Sequence, residues 1–241
     1  MCDICVMNSV KGRMLSRRNF FKSTAAVGIA AVATGASAPA ALAGGHSLVE
    51  DMTHTLHSEF PTYFGESQFS SERIFNYAEH FFNLNQYTVN EHTGTHIDAP
   101  LHFSEDGTSV DEILVSDLVA PLCVIDIARR AEEDADTQVS PDDIRAWIAA
   151  HGDIPDGPCL AMHSGWASKV DGDGFRNFDG KAQHYPGFHV EAAQMLVEQT
   201  GARSLAVDTL SLDHGISAAF ATDYAWVPTG LGALRLLNDP R

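Results

Sequence analysis

From His92 to His102 the chain reads His-Thr-Gly-Thr-His-Ile-Asp-Ala-Pro-Leu-His, and its candidate metal ligands His92, His96, Asp98 and His102 all fall on even-numbered positions. Gly94, Pro100 and the β-branched residues among them argue against a helix. In an extended segment side chains alternate, so all four share one face. A helix would place Asp98 about 200° round the axis from His96, out of reach of a common ion.

At a rise of about 3.3 Å per residue, His96 and Asp98 stand about 6.6 Å apart, a gap two inward-pointing side chains can close onto one cation. His92 would stand about 13 Å from His96 on a straight strand. The backbone must therefore bend between the two histidines, and Gly94 is where bending costs least. The pattern predicts a strand kinked at Gly94. Two imidazoles and a carboxylate suit a divalent zinc, manganese or iron ion with positions left open for water and substrate, which points to catalysis rather than scaffolding. His102 lies beyond Pro100, a second bend, and is assigned to carrying protons beside the ion. A lone histidine is ordinarily a surface or satisfied core residue, so His46, His54, His57, His80, His151, His184, His189 and His214 are given no such role. His163, in an apolar run just before Ser164-Gly165, stays open between pocket lining and structural packing.

The motif His-x-Gly-Thr-His-x-Asp-x-Pro-x-His-Phe, His92 to Phe103, resembles the signature of the metal-dependent cyclase family, which includes bacterial kynurenine formamidases and isatin hydrolases. Asp51 to Leu56, His163-Ser164-Gly165-Trp166, Tyr185-Pro186-Gly187-Phe188, Val207 to Asp213 and Phe220-Ala221-Thr222 extend the resemblance from about residue 48 to about 230. It implies a swivelling β/β/α single domain and hydrolysis of an amide or lactam C–N bond in an aromatic substrate. It also implies zinc or manganese held by His92, His96 and Asp98, His102 as general acid or base, and assembly into dimers or larger. Phe60, Tyr63, Phe64 and Trp166 could shape a pocket for a flat substrate.

Near its end the chain departs from the family pattern. Where relatives commonly continue Thr-His-Tyr-Ala-Trp and supply a metal-binding glutamate twelve residues after that histidine, this sequence has Asp223 and Arg235. A guanidinium has donors and no acceptor, so Arg235 cannot ligate a metal, and a one-ion site is expected in place of a two-ion site. Two rivals follow, a homologue that binds metal or ligand without turnover and a polyketide-type cyclase.

The elements that must position these groups are those of a mixed α/β domain. Ser140-Pro141-Asp142-Asp143 opens a helix with a hydroxyl cap, proline at the first position and acids in the first turn, and Ile144, Trp147 and Ile148 form its apolar face up to Gly152. A second helix runs from about Val190 to Thr200, burying Ala192, Leu196 and Met195. Leu122 to Ile127, Cys159 to Met162 and Ser204 to Leu210 read as buried strands. Asp208 and Asp213, at the end of the last of these, are read as capping or turn residues.

Ser16-Arg17-Arg18-Asn19-Phe20-Phe21-Lys22, a short alanine-rich apolar stretch and Ala41-Leu42-Ala43 read as a twin-arginine signal over residues 1–43. The catalytic domain then occupies residues 44–241, and the protein is expected in the periplasm, exported by the twin-arginine machinery and free of the membrane once cleaved. The net charge of the 241-residue chain is −17. Removing the leader's Lys11, Arg13, Arg17, Arg18 and Lys22 makes the remainder more acidic still, which disfavours nucleic acid and leaves a small molecule as the expected partner. Cys2 and Cys5 lie ahead of the signal, whereas Cys123 and Cys159 sit in apolar runs and read as small buried hydrophobes, with a disulfide allowed but not required.

Overall fold

A computed structural model describes residues 51–235 and 237–238. The expected leader, with Cys2, Cys5, Arg17 and Arg18, lies outside the described residues, as does His46. Among the described residues nine strands and five α-helices follow in the order β1 Phe69–Phe75, α1 Tyr77–His80, β2 Leu84–Val89, β3 His96–Asp98, β4 Leu122–Asp126, α2 Ala128–Glu133, β5 Gln138–Val139, α3 Pro141–His151, β6 Cys159–His163, β7 Gly187–Phe188, α4 Val190–Gln199, β8 Ser204–Val207, α5 Ala221–Trp226 and β9 Gly232–Arg235. The class is mixed α/β, as the alternation of apolar runs and amphipathic segments predicts.

Five strands form the central sheet in the order β3-β9-β8-β6-β4, parallel except for the antiparallel pair β3 and β9. The middle strands β6 and β8 are buried along their whole length, because elements cover both faces, and this is why their sequences read as continuous apolar runs. Alternation still assigns the faces. Leu160 and Met162 of β6, with Leu205 and Val207 of β8 and Cys123 and Ile125 of β4, pack against Ile144 of α3 and Ala192, Ala193 and Leu196 of α4. Cys159, Ala161 and Ala206 point the other way, onto Leu237, Met52, Ala120 and Leu234. Both cysteines are free and buried, and burial pushes the Cys159 thiol up to about 11.

The two long helices fall where caps and periodicity place them. Ser140 Oγ accepts the Asp143 N–H while the Asp143 carboxylate accepts the Ser140 N–H at 2.7 Å, a reciprocal cap, and Gly152 ends α3 at φ +91°. Helix α4 runs to Gln199 and buries Ala193 besides Ala192 and Leu196. Strand β8 stops at Val207, three residues before the predicted Leu210, because Asp208 turns to accept hydrogen bonds from another loop.

Two small sheets flank the centre. Strands β5 and β7 form a short parallel pair, and β1 and β2 a hairpin whose Tyr87 and Val89 stand exposed. Gly187 of β7 is required by contact: a Cβ there would lie 2.4 Å from the Asp213 and His214 backbone. Among the described residues no helix is long and apolar enough to cross a membrane.

Candidate metal centre

His96 and Asp98 are the two ends of β3, so their side chains share a face of the sheet. His96 lies opposite Arg235 in the antiparallel ladder and Asp98 opposite Ala233, which brings Arg235 to the same face. His92 is not on a strand. The expected single kinked strand is instead a turn over residues 91–95 followed by β3, with Gly94 at φ +73° supplying the reversal. The bend falls at the predicted residue, and the extended run before it gives way because a left-handed residue ends the ladder.

These elements gather the three predicted ligands. His92 Nδ1 lies 2.9 Å and His96 Nε2 3.1 Å from Asp98 Oδ1, and one ligand atom from each of the three falls within 4.8 Å of the others. Donor atoms held about 2.1 Å from one ion stand about 3.0 Å apart along an octahedral edge, so this spacing fits a single divalent cation. His96 Nδ1–H donates to the Gly94 carbonyl oxygen at 2.7 Å, which leaves the Nε2 lone pair facing Asp98. His102 lies on a 3-10 turn, Pro100–Phe103, and its ring centroid is 4.0 Å from that of His92. Partial desolvation lowers the His102 pKa, which favours the neutral imidazole able to accept a proton.

Arg235 is the group that sequence reasoning did not place. Its Nε donates to Asp98 Oδ2 at 2.8 Å, its Nη2 lies 2.7 Å from the same oxygen, and Nη2 also donates to Asp223 Oδ1. All three side chains are buried. Burial alone would raise the Asp98 carboxyl; Arg235 and the two imidazoles reverse this and hold it far below the usual carboxylate range. Asp223 is raised by burial despite Arg235 and accepts Ser211 Oγ–H at 2.9 Å. The only sequence sign of this pairing was that an arginine and an aspartate stand where the family pattern has ligands.

Asp208 and Asp213 have the capping and turn roles assigned to them. Asp208 accepts the Ser164 N–H and Oγ–H and the Trp166 N–H. Asp213 accepts the N–H groups of Thr222 and Asp223 at the start of α5. His163 is buried at the end of β6, and His54 is buried too, against Phe60.

The aromatic residues sort differently from the expectation. Phe60 and Trp166 belong to a buried cluster with Phe175 and Tyr185, where their bulk serves packing, and Phe64 is exposed. Tyr63 alone of the four faces the site's neighbourhood, through Phe220 at a centroid distance of 5.9 Å. Phe220 also meets Phe103, which packs on His102 at 4.4 Å and on Tyr224 at 4.9 Å. Phe220 adopts φ +48°, an uncommon conformation for a bulky residue, held where α5 begins.

The family model described as "Putative cyclase" matches residues 50–214. The isatin hydrolase of Roseibium aggregatum is 35% identical over 125 residues, 49% of this chain and 47% of that protein. A kynurenine formamidase from Bacillus anthracis is 35% identical over 79 residues, 32% of this chain and 38% of that protein. The matches thus span about half or less of the curated relatives' length. In structure, isatin hydrolase A from Labrenzia aggregata bound to benzyl benzoate superposes with a TM-score of 0.74 at 31% identity, covering 79% of this chain and 80% of that one. With the motif, the fold and the family model in agreement, the chain belongs to the cyclase family.

Proposed function

We propose that the chain is a metal-dependent hydrolase that cleaves the amide or lactam C–N bond of an aromatic substrate resembling N-formylkynurenine or isatin. The observation that carries the reading is the convergence of His92, His96 and Asp98 within 4.8 Å, with the His102 ring against that of His92, in a family whose relatives include an isatin hydrolase and a kynurenine formamidase. His92 Nδ1, His96 Nε2 and Asp98 Oδ1 would hold zinc or manganese. Such an ion supplies Lewis acidity, which makes water a nucleophile near neutral pH.

The chain's own residues then do the following. The Gly94 carbonyl accepts from His96 Nδ1 and fixes that ring, and Arg235 holds the Asp98 carboxylate in place. His102 takes a proton from the attacking water and returns it to the leaving nitrogen. Phe103, Phe220 and Tyr63 form a chain of ring contacts leading away from His102 and offer flat apolar surface for an aryl ring.

Turnover of N-formylkynurenine and isatin by the metal-loaded protein, set against His102→Ala, tests this. Activity in the parent and a strongly lowered kcat in the variant are expected; metal binding with no turnover of either compound by the parent would favour the rival reading of a binding homologue, to which the Arg235–Asp98 pair lends its support.

The same reading includes export and self-assembly. Arg17-Arg18 and the Ala41-Leu42-Ala43 site support delivery to the periplasm by the twin-arginine route, which fractionation of cells expressing the parent and an Arg17→Lys, Arg18→Lys variant would check. The exposed Phe82, Leu84, Tyr87 and Val89 of the β1–β2 region support a homo-oligomer, readable by light scattering.

A further inference from the structure

The Asp98 carboxylate faces two cation positions. Oδ1 belongs to the histidine pair, at 2.9 and 3.1 Å, and Oδ2 to the guanidinium of Arg235, at 2.7 and 2.8 Å. On its far side that guanidinium meets Asp223, so a single buried cation bridges two buried carboxylates. Two anions can stay charged in such an environment only if a cation lies between them. Nothing but the side chain of Arg235 stands there among the described residues, and it is nearly inaccessible to solvent.

We infer that Arg235 is a built-in counter-cation filling the place between Asp98 and Asp223 that a second divalent ion would otherwise take. The inference rests on the metal reading above and adds to it that the centre accepts one ion, held on the Oδ1 side of Asp98. Three features of the geometry require this. A guanidinium offers no lone pair, so it cannot share its place with an ion. Both of its engaged nitrogens, Nε and Nη2, are committed to carboxylate oxygens that a second ion would need as ligands. Its positive charge also repels any further cation brought between the same two acids.

The structure specifies what would open the second place. Removing the guanidinium leaves Asp98 Oδ2 and the Asp223 carboxylate facing one another without a counter-charge, which is a donor set for a hard divalent ion. Ser211 Oγ, already on Asp223 Oδ2, would keep that carboxylate oriented. A glutamate at 235 would contribute a further oxygen. A lysine would keep the charge and, with it, the one-ion state, though it cannot span both acids as the planar fork does.

The test is metal stoichiometry on the full chain, with manganese(II) as the probe. Equilibrium dialysis with elemental analysis counts ions per chain, and electron paramagnetic resonance separates an isolated ion from an exchange-coupled pair. The parent and Arg235→Lys should saturate at one ion with an uncoupled signal. Arg235→Glu and Arg235→Gln should bind two, with a coupled signal, and their melting temperatures should rise with manganese by more than the parent's does.

The failures separate. A parent that binds no ion under generous supplementation removes the metal reading itself. A parent that binds two overturns the counter-cation inference alone. Folded Arg235→Glu or Arg235→Gln protein that still binds one ion overturns it as well, and the hydrolase reading survives. If Arg235→Glu does not fold, Arg235→Gln, which introduces no third acid, carries the same comparison. If neither folds even when refolded in manganese, an added ion cannot replace Arg235 and the inference fails.

Discussion

His96 Nδ1 rests 2.7 Å from the carbonyl oxygen of Gly94, two residues back along the same turn. The hydrogen bond sets the tautomer and ring angle of one proposed ligand, and it exists because Gly94 holds φ +73°, where its carbonyl turns back toward β3. A Cβ at 94 would also press on Leu56 Cδ1 at 3.1 Å. Gly94→Ala should therefore cost about 1–2 kcal/mol in stability and weaken metal binding about 10–100-fold, the usual effect of disturbing a ligand's support. Competition against a chelator measures the affinity; a value equal to the parent's would show that this turn does not organise the site.

Asp98 and His102 should separate by readout. Asp98→Ala removes both a ligand and a partner of the buried Arg235, so it should lose the ion and destabilise the protein by about 3 kcal/mol, the lower end for a broken buried pair because Asp223 remains. His102→Ala should keep the metal and lower kcat by about 10²–10⁴, the range for loss of a general acid or base. Elemental analysis and urea denaturation, alongside kinetics, distinguish the two. Loss of metal in His102→Ala would move that residue into the ligand set.

Chelation should lower the melting temperature. At a free ion concentration about 100 times Kd, binding adds about 2.7 kcal/mol to the folded state, which for a domain of this size is about 5–10 °C. Scanning calorimetry before and after dialysis against a chelator, with restoration by zinc or manganese, provides the check; identical transitions would exclude a tightly held ion.

Asp143 gives a pH-dependent term remote from the site. Burial pushes its carboxyl up, but the hydrogen bonds from Arg130 and Ser140 outweigh this and bring it below the ordinary aspartate value. A depressed folded-state pKa means stability fully present above the unfolded pKa of about 3.9 and lost as the pH falls through the folded value. Asp143→Ala should cost about 1 kcal/mol at pH 7, and the gap to the parent should close in acid. Urea titrations at pH 7 and pH 3 test the sign; a gap that widened in acid would contradict it.

What the sequence revealed of the site was its local part. His92, His96 and Asp98 lie within seven consecutive residues, so a period of two and one glycine were enough to bring them together. Helices α3 and α4 were similarly legible, because Ser140, Pro141 and Gly152 are local punctuation and the apolar spacing lies within each segment. The pairing of Arg235 with Asp98 spans 137 residues and depends on β9 inserting beside β3, which no local pattern encodes. Read in isolation, Arg235 was only a missing ligand; in the sheet it is a partner. The aromatics failed for a related reason. Phe60 and Trp166 are as flat and apolar as Phe220, and only the three-dimensional packing sends the first two into a core and the third to the neighbourhood of His102.

Strand β3 has a single neighbour in the sheet, and that neighbour is β9. A ribosome makes the histidine turn well before its ladder partner, so the reactive centre is completed only once β9 has emerged. A nascent chain halted before residue 232 would carry the histidines and both acids yet could neither seat β3 nor balance their charge. Competence is thereby tied to β9, and fragments that lack it should be inert toward metal and substrate alike.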